Sequence, residues 1–223
     1  MRRKERLENG KMYHIFNKSI ADYKIFSTDK EYLRARNLLK YYQGENIPFS
    51  YSRFMESEKI KESNFDESFV SISQKSKKII QIIAYCFMPT HLHLILKQLK
   101  DKGIATFMGN ILNSYSRYFN TKYKRKGPLW QSRFQSVLVE NDEQLLHLSR
   151  YIHLNPVTAY LVEKPQRWVA SSYREYLLKA NKKSKLCDYK EILDIEPAAY
   201  KDFVEDAISY QRELATVKEL FLD

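Results

Sequence analysis

Residues 79–98 constrain the fold more than any other stretch of the chain. Ile79 to Phe87 (IIQIIAYCF) is rich in β-branched and aromatic residues and almost wholly apolar, which reads as a central strand. Met88-Pro89-Thr90 supplies a turn, and His91 to Gln98 (HLHLILKQ) reads as the returning strand of a hairpin. Side chains alternate faces along a strand. His91 and His93 therefore share one face, while Leu92, Leu94 and Leu96 point the other way into a core.

The flanks complete the pattern. Lys11 to Asn17 reads as a first strand. Ser27 or Thr28 caps a helix to about Tyr42, with Leu33, Leu38, Leu39 and Tyr42 on its apolar side, and Gly44 ends it. Residues 45–77 are polar and read as a connection with one short helix. Gly103 to Lys122 carries Ile104, Phe107, Met108, Ile111, Leu112, Tyr115 and Phe119 at helical spacing, and Lys124 to Pro128 breaks it. Phe134 to Glu140 reads as a fourth strand. Asn141 or Asp142 then caps a helix to about Leu154, with Pro156 expected to stop it. The order β-α-β-β-α-β predicts an α+β fold: a ferredoxin-like antiparallel sheet with packed helices. Residues 1–178 form that domain. Residues 179–223 read as a helical C-terminal extension, with helices at Asp188–Leu193 and Ala198–Leu222.

Composition narrows the partners. The net charge is +11 and the sequence pI is 9.4. Together with 17 tyrosines and 12 phenylalanines this suits a polyanion whose bases stack on rings, though a basic protein with an aromatic core fits the same numbers. The two cysteines, Cys86 and Cys187, form no CxxC pair, so neither a zinc ribbon nor a disulfide framework is supported, and a reducing cytoplasm is the expected compartment. The basic start has no apolar segment behind it, and no apolar stretch reaches membrane-spanning length.

Two of the five histidines are His91 and His93, and a pair of imidazoles on one strand face is half of a divalent metal site. Tyr151 and Asn155, in YIHLNPV, are four apart and share a helix face. A tyrosine hydroxyl can act as a nucleophile, and an amide oxygen one turn on can supply a third ligand. Two imidazoles and an amide oxygen suit Mg²⁺ or Mn²⁺. Taken alone, Tyr151 reads more readily as packing on an apolar helix. His153 faces another side of that helix, His147 reads as a surface residue, and His14 on the first strand reads as a supporting group.

From Lys102 to Val139 there is no acidic residue, while Arg117, Lys122, Lys124, Arg125, Lys126 and Arg133 are basic. Tyr118, Tyr123 and Trp130 are interleaved with them. Cations for a phosphate backbone with rings for bases predict a DNA-binding surface, against the alternative of a solvated helix face and loop.

In combination, FMPTHLHLILKQ, then GPLWQSRFQSVLV, then YIHLNPVTAYLV resembles the single-tyrosine HUH transposases, particularly those associated with repetitive extragenic palindromes. The resemblance spans roughly residues 11–178. It implies a metal-dependent endonuclease or transposase that cleaves and rejoins single-stranded DNA near hairpins. His91 and His93 would be metal ligands. Tyr151 would attack the scissile phosphate, leaving a 5′-phosphotyrosine link and a free 3′-hydroxyl. Insertion-sequence members usually carry Gln where Asn155 stands, one methylene longer. The expected partner is single-stranded or hairpin DNA in the cytoplasm, at the nucleoid, with monomer and homodimer both open. The alternatives are a non-catalytic nucleic-acid binder descended from such enzymes, and a metal-dependent hydrolase that uses activated water.

Overall fold

Four antiparallel strands organise the chain in the computed structural model, which describes residues 6–57, 65–66, 68–69, 76–178, 185–190 and 192–220. They are β1 (Met12–Lys18), β2 (Ile80–Phe87), β3 (His91–Gln98) and β4 (Gln135–Val139), in the order β2-β3-β1-β4. This is the ferredoxin-like arrangement expected from the sequence: the first and third strands lie in the middle and the hairpin partner lies at the edge.

β2 therefore differs from its reading as a central strand. It is an edge strand, yet every residue except Gln81 is buried. The reason is a cover over its free side. Phe87 N donates to Ala170 O, Ser172 N to Tyr85 O, and Asp188 N to Ile82 O, each at 2.9 Å. An edge closed by later chain exposes no unpaired backbone and can be as apolar as a central strand.

Helix α1 (Asp29–Tyr41) opens with a capping box. Thr28 Oγ1 accepts from Glu31 N, and Glu31 Oε2 accepts from the amides of Thr28 and Ser27. The connection that follows contains α2 (Tyr51–Ser57), the short helix expected there, and parts of the connection lie outside the described residues. Helix α3 (Gly103–Lys122) has the boundaries and the buried face that its periodicity predicts. Its first residue is glycine because the Ile79 carbonyl oxygen occupies the space a Cβ would need. α1 and α3 pack together on the Leu92–Leu94–Leu96 side, where Phe26 meets both Phe87 at 5.2 Å and Tyr115 at 4.8 Å between ring centres.

Helix α4 (Asp142–Thr158) covers the opposite face, where Ile95 is fully buried between the histidines and Lys97. Asn141 is its N-cap, accepting from Gln144 N at 2.8 Å. Pro156 does not stop this helix as expected; the helix runs on to Thr158. Proline removes only one donor here, and Ala159 N→Asn155 O and Leu161 N→Pro156 O close the end within a turn.

The C-terminal region also departs from expectation. Among the described residues, 188–190 and 192–193 form no helix: Asp188 N donates to Ile82 O on β2, while Ile192 N and Leu193 N turn back to Tyr189 O. Two helices, α6 (Pro197–Glu205) and α7 (Ile208–Leu220), replace one continuous helix, with short α5 (Tyr173–Leu177) before them. Leu186, Cys187, Tyr189, Tyr200 and Val204 are buried in the same core as the sheet.

Candidate active site

The register of the two central strands assembles a histidine cluster. β1 pairs with β3 so that Phe16 lies opposite His93, Lys18 opposite His91 and His14 opposite Ile95. His91, His93 and His14 thus share a sheet face, while Leu92, Leu94 and Leu96 are buried on the other, as their alternation predicts. His14 Nε2 and His93 Nδ1 share a hydrogen bond of 3.0 Å, with the rings stacked at 5.2 Å. The His91 ring meets His93 edge-on at 5.0 Å, and its Nδ1 lies 3.0 Å from Thr90 Oγ1.

Burial keeps these rings neutral at pH 7. It pushes His14 down to about 4, and His91 to about 4 with added help from the Lys18 cation. His93, the most enclosed, is held well below its ordinary value by burial and by its two histidine neighbours. Neutral imidazoles offer lone pairs. One nitrogen of each presumed ligand ring is already engaged, His93 by His14 and His91 by Thr90, which fixes ring orientation and leaves Nε2 on both.

α4 brings the tyrosine to this cluster. The Tyr151 ring stands edge-on to His93 at 5.8 Å and to His14 at 6.4 Å, and it is 40% exposed. Its hydroxyl makes no hydrogen bond among the described residues. Asn155, one turn on, donates from Nδ2 to the Tyr151 carbonyl at 3.4 Å. The helix is held in place by His153, which is fully buried. Its Nδ1 lies 2.7 Å from Tyr200 Oη and its Nε2 2.7 Å from Ser172 Oγ. Ser172 Oγ in turn accepts from Tyr85 N, so α4 is tied to β2 through one imidazole. His147 is exposed and lies against Phe203 and Arg150, away from the cluster.

Among the described residues no group of three or more His, Cys, Asp or Glu side chains is arranged to hold a metal ion. The donors expected from the sequence are His91, His93 and the amide of Asn155; the two imidazoles share one sheet face, and the Asn155 amide is turned to the Tyr151 carbonyl. His14 has a larger part than the sequence suggested, since it touches a presumed ligand directly. The signal for it was present: His14 and Phe16 alternate on a strand that must pair with the HxH strand.

The basic surface is only partly as read. Arg117, Lys124, Lys126 and Arg133 are exposed. Trp130 is a core residue: it is 9% exposed and its indole N–H donates to Leu112 O, so its ring is not offered to a base. Lys122 Nζ and Tyr123 Oη both donate to Glu31 Oε1, at 2.7 and 2.6 Å. Burial opposes charge on Glu31, but these bonds and the Ser27 amide hold its carboxyl below the usual range. A stretch without acids in sequence thus meets one in space. Tyr118 is half-buried under the Arg34 guanidinium, 4.3 Å from its ring centre. Arg125 bonds Asn120 and the Pro128 carbonyl and lies over Tyr23.

The loop that carries these cations passes beside the histidines. Asn17 Nδ2 donates to the carbonyls of Ser132 and Arg133, and Gln131 N donates to Lys18 O. Lys18 is the residue paired with His91.

Residues 50–155 match the family described as IS200-like transposases, which takes in both histidines, Tyr151 and Asn155 but not β1. A protein of Haemophilus influenzae named for REP-associated tyrosine transposases is 30% identical over 104 residues, covering 42% of this chain. The match spans 58% of that relative's length. A solved REP-associated tyrosine transposase bound to a REP hairpin superposes with a TM-score of 0.53 at 15% identity, over 83% of this chain and 94% of the other. The resemblance read from the sequence motifs is borne out, and so is the α+β fold. No helix among the described residues is long and apolar enough to cross a membrane.

Proposed function

We propose that the protein cleaves and rejoins single-stranded DNA near hairpins through a covalent link to Tyr151. The observation that carries this reading is the edge-on placement of an exposed Tyr151 against His93 and His14. The attacking group and one proposed metal ligand, His93, lie in one chain at ring-contact range. The relatives named for REP-associated transposition, one of them solved with a REP hairpin, support hairpin DNA as the substrate.

In this reading His91, His93 and Asn155 hold Mg²⁺ or Mn²⁺, which when bound supplies charge stabilisation for the phosphate under attack. The protein's own groups do the rest. His14 and Thr90 fix the ligand rings. α4, held by His153, aims Tyr151 at the site. Tyr151 Oη forms a bond to phosphorus as the bond to the 3′ oxygen breaks, and the phenolic proton passes to solvent while the leaving oxygen becomes a 3′-hydroxyl. Attack of a 3′-hydroxyl on the phosphotyrosine reverses the exchange and frees the phenol, so the bond energy is conserved. Arg117, Lys124, Lys126 and Arg133 grip the backbone, on chromosomal DNA in the cytoplasm. The chemistry is expected within residues 1–178, with residues 179–223 as a supporting extension.

The test is incubation of the protein with hairpin-bearing single-stranded oligonucleotides and Mn²⁺, followed by denaturing electrophoresis. A DNA–protein adduct is expected, absent in Tyr151→Phe and dependent on metal and on His91. Salt-sensitive binding without any adduct would mark a non-catalytic binder, and cleavage without an adduct would mark a hydrolase using water.

A further inference from the structure

On the far side of the sheet from Tyr151, the outer surface of α3 and the segment around residues 44–53 enclose a groove of about 840 Å³. Helix α3 contributes Thr106, Asn110, Asn113 and Arg117 to one wall, and the facing wall holds Phe49 and Arg53. The α3 residues recur at helical spacing, so they form one polar stripe. A solvated helix surface normally interleaves both signs of charge. This stripe carries amides, a hydroxyl and a cation, and no acid. The acidic residues of the groove, Glu45 and Asp101, lie at its other end, where Glu45 is ion-paired with Lys100.

Two details point to a ligand. Phe49 is 44% exposed, an apolar ring left open at the rim of a polar groove, and the Arg53 guanidinium lies over it at 5.1 Å. Neither Arg53 nor Arg117 is in an ion pair among the described residues. A ring for stacking, amides for a base edge and guanidinium groups for phosphate are the components of a single-strand site. The groove is also continuous with the basic surface. Arg117 lines both it and a shallow depression formed with Asn120, Thr121, Lys124 and Lys126. The track from Thr106 to Lys122 runs about 24 Å along the helix.

We propose that this groove is a second nucleic-acid site that holds an unpaired stretch of the strand away from the cleavage centre. The proposal rests on the DNA-cleaving function above for its partner. A strand leaving the histidine face passes the loop of residues 124–133, follows the α3 stripe, and places a base between Phe49 and the two asparagines. Its phosphates then lie at Arg53 and Arg117.

The experiment compares a hairpin oligonucleotide without overhangs to the same hairpin carrying a single-stranded extension on either end. Binding to the full chain is read by fluorescence anisotropy. Arg53→Ala/Asn110→Ala/Asn113→Ala should weaken binding of an extended hairpin about tenfold and leave the bare hairpin nearly unchanged. All three positions are at the surface, and a thermal melt matching the wild type confirms folding. As a second readout, bromouracil in the extension should photocrosslink to the peptide containing Phe49. Equal effects on both probes, no effect on either, or crosslinks only elsewhere would overturn the site. The two readings fail separately. An adduct at Tyr151 with unaltered binding by the triple variant removes the groove and keeps the cleavage chemistry. Loss of extension binding with no adduct in the wild type removes the chemistry and keeps the groove.

Discussion

Helix α4 enters two histidine–tyrosine clusters through Tyr151 and His153, two residues apart, and the clusters differ in completeness. At His153 both ring nitrogens are bonded, to Tyr200 and Ser172, and Tyr200 also bonds Ser149. The ring is fully buried and has nothing left to offer. At His93 one nitrogen is engaged by His14 and the adjacent Tyr151 is open to solvent with its hydroxyl unbonded. The same residue types make a scaffold where every polar group is partnered and a candidate site where some are left open. Alternation of the two on one helix means that the scaffold positions the site directly.

The contrast can be broken by substitution. Tyr151→Phe should abolish adduct formation, a loss of at least about a thousandfold, while stability changes by less than about 0.5 kcal/mol, because the hydroxyl has no partner to lose. A large drop in melting temperature for this variant would place Tyr151 in the scaffold. His14→Ala should weaken Mn²⁺ binding, measured by calorimetry, about 10- to 100-fold by releasing the His93 ring. Affinity unchanged from wild type would remove His14 from the site. Tyr200→Phe should cost about 1–3 kcal/mol in urea unfolding, since His153 and Ser149 lose a buried partner. A neutral result would show that water replaces the hydroxyl and that the cluster is not closed.

The remaining test is with pH. His14 and His91 titrate near 4 in the fold and His153 near 3, against an ordinary 6.5. Below pH 6.5 the unfolded chain takes up protons that the folded rings refuse, so stability falls as pH drops from 6.5 toward 4. Above 6.5 these groups contribute no slope. The urea midpoint at pH 7.5, 6 and 5 checks this, and a midpoint that rises on acidification would contradict it.

Local pattern in the sequence carried much of this. The hairpin, the α3 boundaries and the alternation of His91, His93 and the leucines follow from periodicity within single elements. Where partners come from distant chain, pattern was silent. The cover over β2 by Ala170, Ser172 and Asp188 made an edge strand read as a central one. Glu31, far away in sequence, neutralises Lys122 and engages Tyr123. Trp130 reads as a candidate stacking platform until Leu112 and the core around it are in view. The His153–Tyr200 bond joins residues 47 apart, beyond any periodic signal.

The tie between His153, Ser172 and Tyr200 also limits what can move at the candidate site. Sliding or rotating α4 would break several short buried hydrogen bonds at once, whereas turning the Tyr151 side chain about its own two torsions breaks none. The phenol therefore travels on a short arm from a stationary mount, and in the proposed reaction the DNA would have to come to it. In the proposed reaction, the distance between scissile phosphate and hairpin would then be set by how the strand is threaded over the protein, not by the swing of the helix.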